Sequence, residues 1–146
     1  MPRPTQATGR PGTPVIPADW ETAHRVVVER AMRGRVSLRI PGTTQVWSEE
    51  DQEMRTVPRA PYAVDVPARV LELNGEAKVI RTGEDTEIVV DFLVTVPAGR
   101  DDVATGHLVT VTTSTDPLLT GTTLRVDHVG RGTERFERDL YCTHSD

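Results

Sequence analysis

The chain has 146 residues and is short of several residue types on which small proteins often depend. A single cysteine, Cys142, excludes an internal disulfide and any metal site that needs several cysteines. Aromatic residues make up only 4% of the chain, so large rings cannot dominate its core. No apolar run approaches the length of a membrane span, and the first residues lack the apolar segment of a signal peptide. These absences predict an intracellular protein with a core of small aliphatic side chains.

Lysine is nearly absent as well, since Lys78 is the one lysine among 17 basic residues and the rest are arginine. Arginine presents a planar fork of donors that suits paired contacts with carboxylates. With 22 acidic residues the net charge is −5. An acidic chain with few aromatics argues against conventional nucleic-acid binding, which uses basic surfaces and stacking rings. The same charge suits a protein through which DNA slides, because an acidic surface repels phosphates.

Valine and threonine are what the chain has in excess. It contains 20 Val and 20 Thr, against 9 Leu and 4 Ile. Such β-branched residues pack well on a pleated sheet. Short alternating segments separated by turn residues follow one helical segment. The sequence therefore predicts a mostly β fold, a small antiparallel β-barrel or sandwich with one N-terminal α-helix.

Two regions differ in composition. Residues 1–16 are rich in Pro, Gly and Thr and carry arginine without any acid, which predicts a flexible arm. Residues 17–146 hold the apolar patterns and are predicted to form the helix and the barrel.

A helix is predicted between Asp19 and Gly34. Its apolar residues recur at three- and four-residue intervals on one face, and they are Trp20, Ala23, Val27 and Ala31. Three consecutive valines from Val26 to Val28 make the apolar surface wider than one sheet covers. We therefore expect the helix to contact another subunit. The candidate residues for this subunit or adaptor interface are Trp20, Val26, Val28 and Met32.

Alternation with a period of two predicts the strands. The residues expected to point inward are Val36, Leu38 and Ile40; Val64, Val66, Ala68 and Val70; Ile88, Val90, Phe92, Val94 and Val96; Val109 and Val111; Leu124, Val126 and His128; and Phe136, Leu140 and Cys142. Residues 44–47 are predicted to form a short strand, and residues 48–61 an exposed acidic loop.

The sequence predicts no catalytic residue, no cofactor and no metal site. Cys142 and His144 lie on one face of a strand, which alone does not make a catalytic pair. Paired carboxylates occur only in predicted exposed turns, where nothing raises a pKa for acid catalysis. The histidines lack metal-ligand spacing, and they are His24, His107, His128 and His144. A small β-barrel enzyme or ligand-binding domain stays as an alternative, and it requires a concave pocket.

One segment carries a specific pattern. A Val–Thr-rich stretch, residues 108–113, precedes a turn and a returning strand. The residues of this motif are Asp116, Pro117, Leu119, Gly121, Arg125 and Val126. Their order resembles the C-terminal signature of small head-to-tail connector proteins of tailed bacteriophages. The similarity extends over about residues 18 to 143, and residues 108–126 are its specific part. In this turn we expect Leu118 and Leu119 to plug the end of the barrel.

The resemblance implies a head-completion protein of the stopper or head-closure kind. Such a protein forms a ring, a hexamer rather than a dodecamer, that closes the DNA channel in the neck of the virion. The implied partners are further copies of the chain, the portal and adaptor above, the tail terminator below, and genomic double-stranded DNA as non-specific cargo. No membrane is implied, and assembly takes place in the host cytoplasm. A tail-terminator ring is the alternative within the same group.

In such rings a loop that projects into the channel acts as the plug. The acidic stretch 48–61 is one candidate, with Glu49, Glu50, Asp51 and Glu53. The turn region 72–87 is the other, with Glu76, Lys78, Arg81, Glu84 and Asp85. The sequence leaves both candidates open.

Overall fold

A computed structural model describes residues 18–81, 86–132 and 135–145, without the side chains of residues 76 and 77. The predicted arm, residues 1–16, lies outside these residues, as do Glu84 and Asp85. The helix α1 (Trp20–Ala31) comes first. The strands are β1 (Gly34–Arg39), β2 (Thr43–Ser48), β3 (Glu53–Pro58), β4 (Ala63–Glu72), β5 (Val79–Arg81), β6 (Glu87–Val89), β7 (Phe92–Pro97), β8 (Leu108–Thr113), β9 (Thr123–Val129) and β10 (Glu137–His144).

Six of these strands close into an antiparallel barrel in the order β1-β4-β7-β10-β9-β8. The strands β2 and β3 pair only with each other, and so do β5 and β6. The prediction of a mostly β fold with one helix and a small antiparallel barrel is confirmed. Because the barrel is closed, every barrel strand forms backbone hydrogen bonds along both edges, whereas each hairpin strand keeps one unpaired edge.

Small aliphatic side chains fill the barrel. The fully buried set contains Val36, Leu38, Val94, Val96, Val109, Val111, Leu124, Val126 and Leu140, together with Cys142. Phe92 is the one aromatic ring in the core of the described residues. The inward positions predicted for β1, β7, β8 and β10 are confirmed at these residues. Valine suits a narrow barrel because its branched side chain is short and stiff.

A β-bulge changes the face that β4 buries. Val36 pairs with Val66, but Leu38 pairs with Ala63, so three steps on β4 oppose two on β1. Asp65 lies in this segment at φ 52°, in the left-handed region. The prediction for Val64 is therefore wrong, since its side chain is 64% exposed while Ala63 is buried. Irregular pairing shifts an alternating pattern to the other face.

A second bulge has the same effect on β9. Tyr141 pairs with His128, whereas Cys142 pairs with Val126, which leaves Asp127 as the extra residue. Val129 is therefore buried and His128 is only half-buried, contrary to the prediction. The alternation predicts the strand itself correctly up to the bulge.

Three other inward predictions are wrong because the residues lie outside the barrel strands. Ile40 follows the end of β1 and is exposed. Ile88 belongs to β6, in a hairpin apart from the barrel, and is half-buried. Phe136 precedes β10 and is half-buried against Trp20, with ring centroids 5.2 Å apart.

The chain path places the two hairpins at opposite ends of the barrel. The β2–β3 hairpin follows the end of β1, and β4 then returns antiparallel, so that Ala68 lies opposite Gly34. The end of β4 therefore lies near the start of β1, and the chain leaves it there for β5 and β6. We call these ends the β2–β3 end and the β5–β6 end. The turn after β8 lies at the β5–β6 end, because Thr113 pairs with Arg35.

Candidate interaction site

The β2–β3 hairpin presents apolar side chains to solvent. Trp47 lies directly opposite Met54, and the two side chains are 52% and 54% exposed. Val46, opposite Arg55, is exposed as well. A two-stranded hairpin alone is marginally stable in water, so this one has a reason to pack against something. We call Trp47 and Met54 the hairpin apolar pair.

The acidic residues form the tip of this hairpin. Residues 49–52 make the turn, with Gln52 at φ 52°. The Ser48 hydroxyl donates to Asp51 Oδ2 at 3.3 Å, and Arg55 forms an ion pair with the same carboxylate. Glu49 and Glu50 have no such partner among the residues that the structure describes. The tip therefore carries unneutralised negative charge.

The predicted acidic loop 48–61 is thus too long. Residues 53–58 form β3, which pairs with β2 over its whole length. The sequence reasoning missed the hairpin apolar pair, although Trp47 and Met54 flank the acidic turn symmetrically. That symmetry is the signal of a hairpin, and the polar residues of β3 concealed it.

The β5–β6 hairpin differs because its described charges are paired. Arg81 Nε donates to Glu87 Oε1 at 3.2 Å. Lys78 Nζ lies 3.4 Å from Asp91 Oδ1. Val79 and Val89 lie opposite each other and are exposed. The side chain of Glu76 lies outside the described residues, as do Glu84 and Asp85.

The connector-like motif forms the turn between β8 and β9. Asp116 Oδ1 accepts a hydrogen bond from the Leu118 amide at 3.0 Å, and the Asp116 carbonyl accepts one from Leu119 at 3.1 Å. Pro117 occupies the turn between them. Gly121 has φ 86° and donates its amide to the Val111 carbonyl at 2.7 Å. Because a positive φ strains other residues, glycine fits this reversal.

The two leucines of this turn behave differently. Leu119 packs against the core, as expected. Leu118 does not plug the barrel, since it is 89% exposed. Beyond the turn, Val126 is buried, and Arg125 Nε donates to Asp127 Oδ1 at 3.2 Å. The Asp116–Val126 motif therefore joins β8 to β9 at the β5–β6 end, with Leu119 against the core and Leu118 at the surface.

The helix α1 contains no buried residue. Its rings contact the barrel at the β2–β3 end, where Trp20 stacks near His24 with centroids 4.3 Å apart and both approach Phe136. The helix then runs along the barrel wall toward Gly34. Val27, which the helical spacing places on one face with Trp20 and Ala31, is 65% exposed. No helix among the described residues is long and apolar enough to cross a membrane.

The predicted interface residues of α1 divide into two groups. Trp20 and Val26 are exposed, and Val28 is half-buried. Met32 is only 3% exposed, so its side chain cannot contact a partner. Its amide donates to the Glu29 carbonyl at 3.1 Å, which ends the helix. Met32 therefore packs within its own chain.

A cleft of about 450 Å³ separates α1 from the barrel wall. Val27, Val28, Ala31 and Phe136 line it, beside an ion pair between Arg69 and Glu137 at 3.5 Å. It is open to solvent and mostly apolar. It is a concave feature of the kind that the alternative of a ligand-binding domain requires.

Cys142 is not a reactive thiol. Burial raises the pKa of the thiol to about 12, and the nearby Asp127 carboxylate adds to this shift. His144 packs its ring edge-on against Phe92 at 4.8 Å. Among the described residues, no group of three His, Cys, Asp or Glu side chains is arranged to hold a metal ion.

A tyrosine–histidine contact ties two loops together at the β2–β3 end. His107 Nδ1 accepts the Ala104 amide at 3.3 Å, so the Tyr62 hydroxyl, 2.8 Å from the same atom, donates to it as well. Burial raises the pKa of Tyr62 to about 12, and Asp102 adds to the shift. This contact fixes the loops beside the base of the β2–β3 hairpin.

Comparison with known proteins gives a family. The model described as "Family of unknown function (DUF6093)" matches residues 24–143, and the chain belongs to this family. The match begins within α1 and ends within β10, so it includes the barrel and both hairpins. No curated protein and no solved structure matches the chain.

Proposed function

We propose that this DUF6093 protein is a structural, non-enzymatic ring subunit of a tailed-phage neck. It acts as a head-to-tail stopper, closes the DNA channel below the portal and adaptor, and provides the surface to which the tail docks. The proposal starts from the resemblance of residues 108–126 to the connector signature.

The observation that carries the proposal furthest is the contrast between a filled barrel and an unpartnered hairpin. Aliphatic side chains pack the barrel interior, so the protein's recognition surfaces lie on its outside. The hairpin apolar pair is half exposed on a structure that is marginal by itself. Contiguous exposed apolar groups mark interaction sites, and Trp47 and Met54 are contiguous because they lie opposite each other on the two strands. A subunit that functions only in an assembly has this construction.

The connector-like motif supports the same reading. Its Asp116 and Gly121 form the turn that joins two barrel strands, so the segment acts as a structural unit of the barrel. A motif with this role fits a family whose barrel is the building block of a ring.

The negative charge supports a channel that carries DNA without adhesion. The net charge is −5, and Glu49 and Glu50 add unneutralised charge at one hairpin tip. The two candidate channel hairpins leave opposite ends of the barrel. Each therefore predicts a different orientation of the subunit in the neck, which a map of the particle distinguishes.

The test uses DNA-filled heads from a phage that lacks this protein. Purified full-length protein should bind at the portal vertex as a ring in negative-stain images, retain the DNA and permit tail joining. Heads that retain DNA and join tails equally well without the protein contradict the proposal. So does a protein that stays off the heads and off portal–adaptor particles.

A further inference from the structure

The β2–β3 hairpin and the helix α1 each leave an apolar face without a partner. Ala23 and Val26 lie on the outer face of α1, and Val27, 65% exposed at the rim of the cleft between α1 and the barrel, lies beside them, since residues three and four apart are neighbours on a helix. All three are exposed. The hairpin apolar pair, Trp47 and Met54, is exposed at the other site. Neither face is covered by any part of the chain that the structure describes.

The charges beside these two faces differ in net sign, since Glu29 lies beside Arg30 but Arg30 and Arg33 outnumber it at this end of α1. Arg30 lies four residues after Val26 and three after Val27, and it has no ion pair with a described residue. Arg33 follows at the end of the helix and is also exposed. The hairpin apolar pair instead borders the acidic tip with Glu49 and Glu50. An apolar patch with a basic margin thus complements an apolar patch with an acidic margin.

We infer that the β2–β3 hairpin of one copy docks on the outer face of α1 of a second copy. In this contact Trp47 and Met54 pack on Val26 and Val27, and the glutamates of the tip face Arg30. The contact joins two different surfaces, so it is heterologous, and it closes a ring when its rotation closes. The inference rests on the proposed ring function and names the contact that builds the ring.

The contact also changes the candidate channel. Glu49 and Glu50 lie at the boundary between neighbouring subunits, where arginine neutralises them. Residues 72–87 are then the candidate that remains for the DNA channel.

The first test is an engineered disulfide. Val27→Cys and Met54→Cys in one chain should give a ladder of covalent oligomers after oxidation, because each subunit carries both halves of the contact. Either substitution alone should leave monomers. Cys142 does not interfere, since it is fully buried. The control combines Val27→Cys with Leu118→Cys, whose site is 89% exposed in the turn at the β5–β6 end, and should give no ladder.

The second test is a charge exchange. Glu50→Arg alone and Arg30→Glu alone should each lower the yield of rings on heads at least tenfold, because each places like charges together. The two changes in one chain should restore the yield. A ladder that is absent on heads that do bind the protein, together with a failed charge exchange, overturns the contact. Dimers from a single-cysteine variant overturn it too, since they indicate a two-fold contact.

These results separate the contact from the proposed function. Protein that binds heads as a ring but forms no ladder and shows no charge exchange leaves the function in place and removes the contact. If the protein does not bind heads, the function fails, and the same ladder and charge exchange in concentrated solution decide the contact alone.

Discussion

The strands β1 and β2 follow each other in the chain but differ in the burial of their apolar side chains. Both are six residues long and hold apolar side chains. In β1, Val36 and Leu38 are fully buried, because the strand pairs with a neighbour on each side and faces the interior. In β2, Val46 and Trp47 are about half exposed, because the strand has one neighbour and no layer covers it. An apolar residue in a strand is thus not by itself a core residue.

The barrel should therefore determine the stability of the protein, and the β2–β3 hairpin its assembly. Changes inside the barrel should affect folding most, and changes at the hairpin tip should affect it least.

Truncation of a barrel leucine should have the largest effect. Leu124→Ala removes a fully buried side chain and should lower the free energy of unfolding by about 3 kcal/mol. Leu118→Ala is the same change at an exposed site and should alter it by less than about 0.5 kcal/mol. Urea unfolding of both variants measures the difference. Equal losses would show that the barrel interior does not dominate stability.

A methyl group added at Gly34, at the start of β1, should have the next largest effect on folding. A Cβ at Gly34 would lie 2.9 Å from the backbone carbonyl oxygen of Ala68, where nothing can move aside cheaply. Gly34→Ala should therefore cost about 2 kcal/mol of stability through overpacking. Gly99→Ala is the control, since no atom lies within 4 Å of its added Cβ. Thermal unfolding should separate the two variants. A Gly34→Ala protein as stable as Gly99→Ala would contradict the close approach of Gly34 to the Ala68 backbone.

Alkaline pH should loosen the barrel through Cys142. The pKa of its thiol is raised from 9.0 to about 12 in the folded protein, so the unfolded chain loses this proton first as pH rises. Stability should therefore fall between pH 9 and about 12, by up to about 1.4 kcal/mol per pH unit. Tyr62, whose pKa is also raised to about 12, adds to the fall above its ordinary value of 10.0.

Two measurements check this point. The native thiol should resist a thiol reagent at mildly alkaline pH and react fully after unfolding in guanidinium. In Cys142→Ala the loss of stability from pH 9 to 10 should be smaller than in the unchanged protein. Rapid labelling of the native thiol would contradict its burial.

Removal of the hairpin tryptophan should scarcely affect folding. Trp47→Ala changes a half-exposed side chain outside the barrel and should alter the free energy of unfolding by less than about 0.5 kcal/mol. It should nevertheless prevent assembly on heads. Acrylamide should quench Trp47 in the free protein and not in the ring, measured in a Trp20→Phe background. If quenching is unchanged on assembly, the hairpin is not at an interface.

Charge reversal at the hairpin tip should affect folding least. Glu49→Lys with Glu50→Lys changes two exposed side chains that have no described partner, so the melting temperature should stay within the error of the measurement. Heads supplied with this variant should leak DNA or fail to join tails. Asp101→Lys with Asp102→Lys makes the same change of charge in another exposed turn, where it also breaks the ion pair between Arg100 and Asp102, and should leave DNA retention intact. Equal retention with both variants would remove the tip from the function.

Much of the barrel could be predicted from the sequence. A closed barrel buries one face of each strand, and the alternation of apolar and polar residues indicates which face that is. Val94, Val109, Val126 and Leu140 are buried as their spacing indicates. The predictions fail where the pairing is irregular, as at Val64. A bulge depends on the partner strand, which local spacing does not contain.

The candidate site was less accessible to sequence reasoning. The acidic tip and the apolar width of α1 were read from the residue pattern, whereas the hairpin apolar pair was missed, because its one signal is the symmetric placement of Trp47 and Met54 about the acidic turn. Trp47 lies in the predicted strand 44–47 and Met54 in the predicted loop 48–61, and the observed register brings them opposite each other. Met32 shows the converse case, since its apolar side chain is buried within its own chain.

The sequence by itself determined that the protein is a small antiparallel barrel or sandwich rich in valine, with one helix and a net negative charge. The scarcity of cysteine and aromatic residues led to that result, since only short branched side chains were left to fill a core. The tertiary structure decided which apolar residues remain outside. Whether an apolar side chain is exposed depends on how the barrel closes and on the order of its strands. Both depend on contacts between residues far apart in the chain.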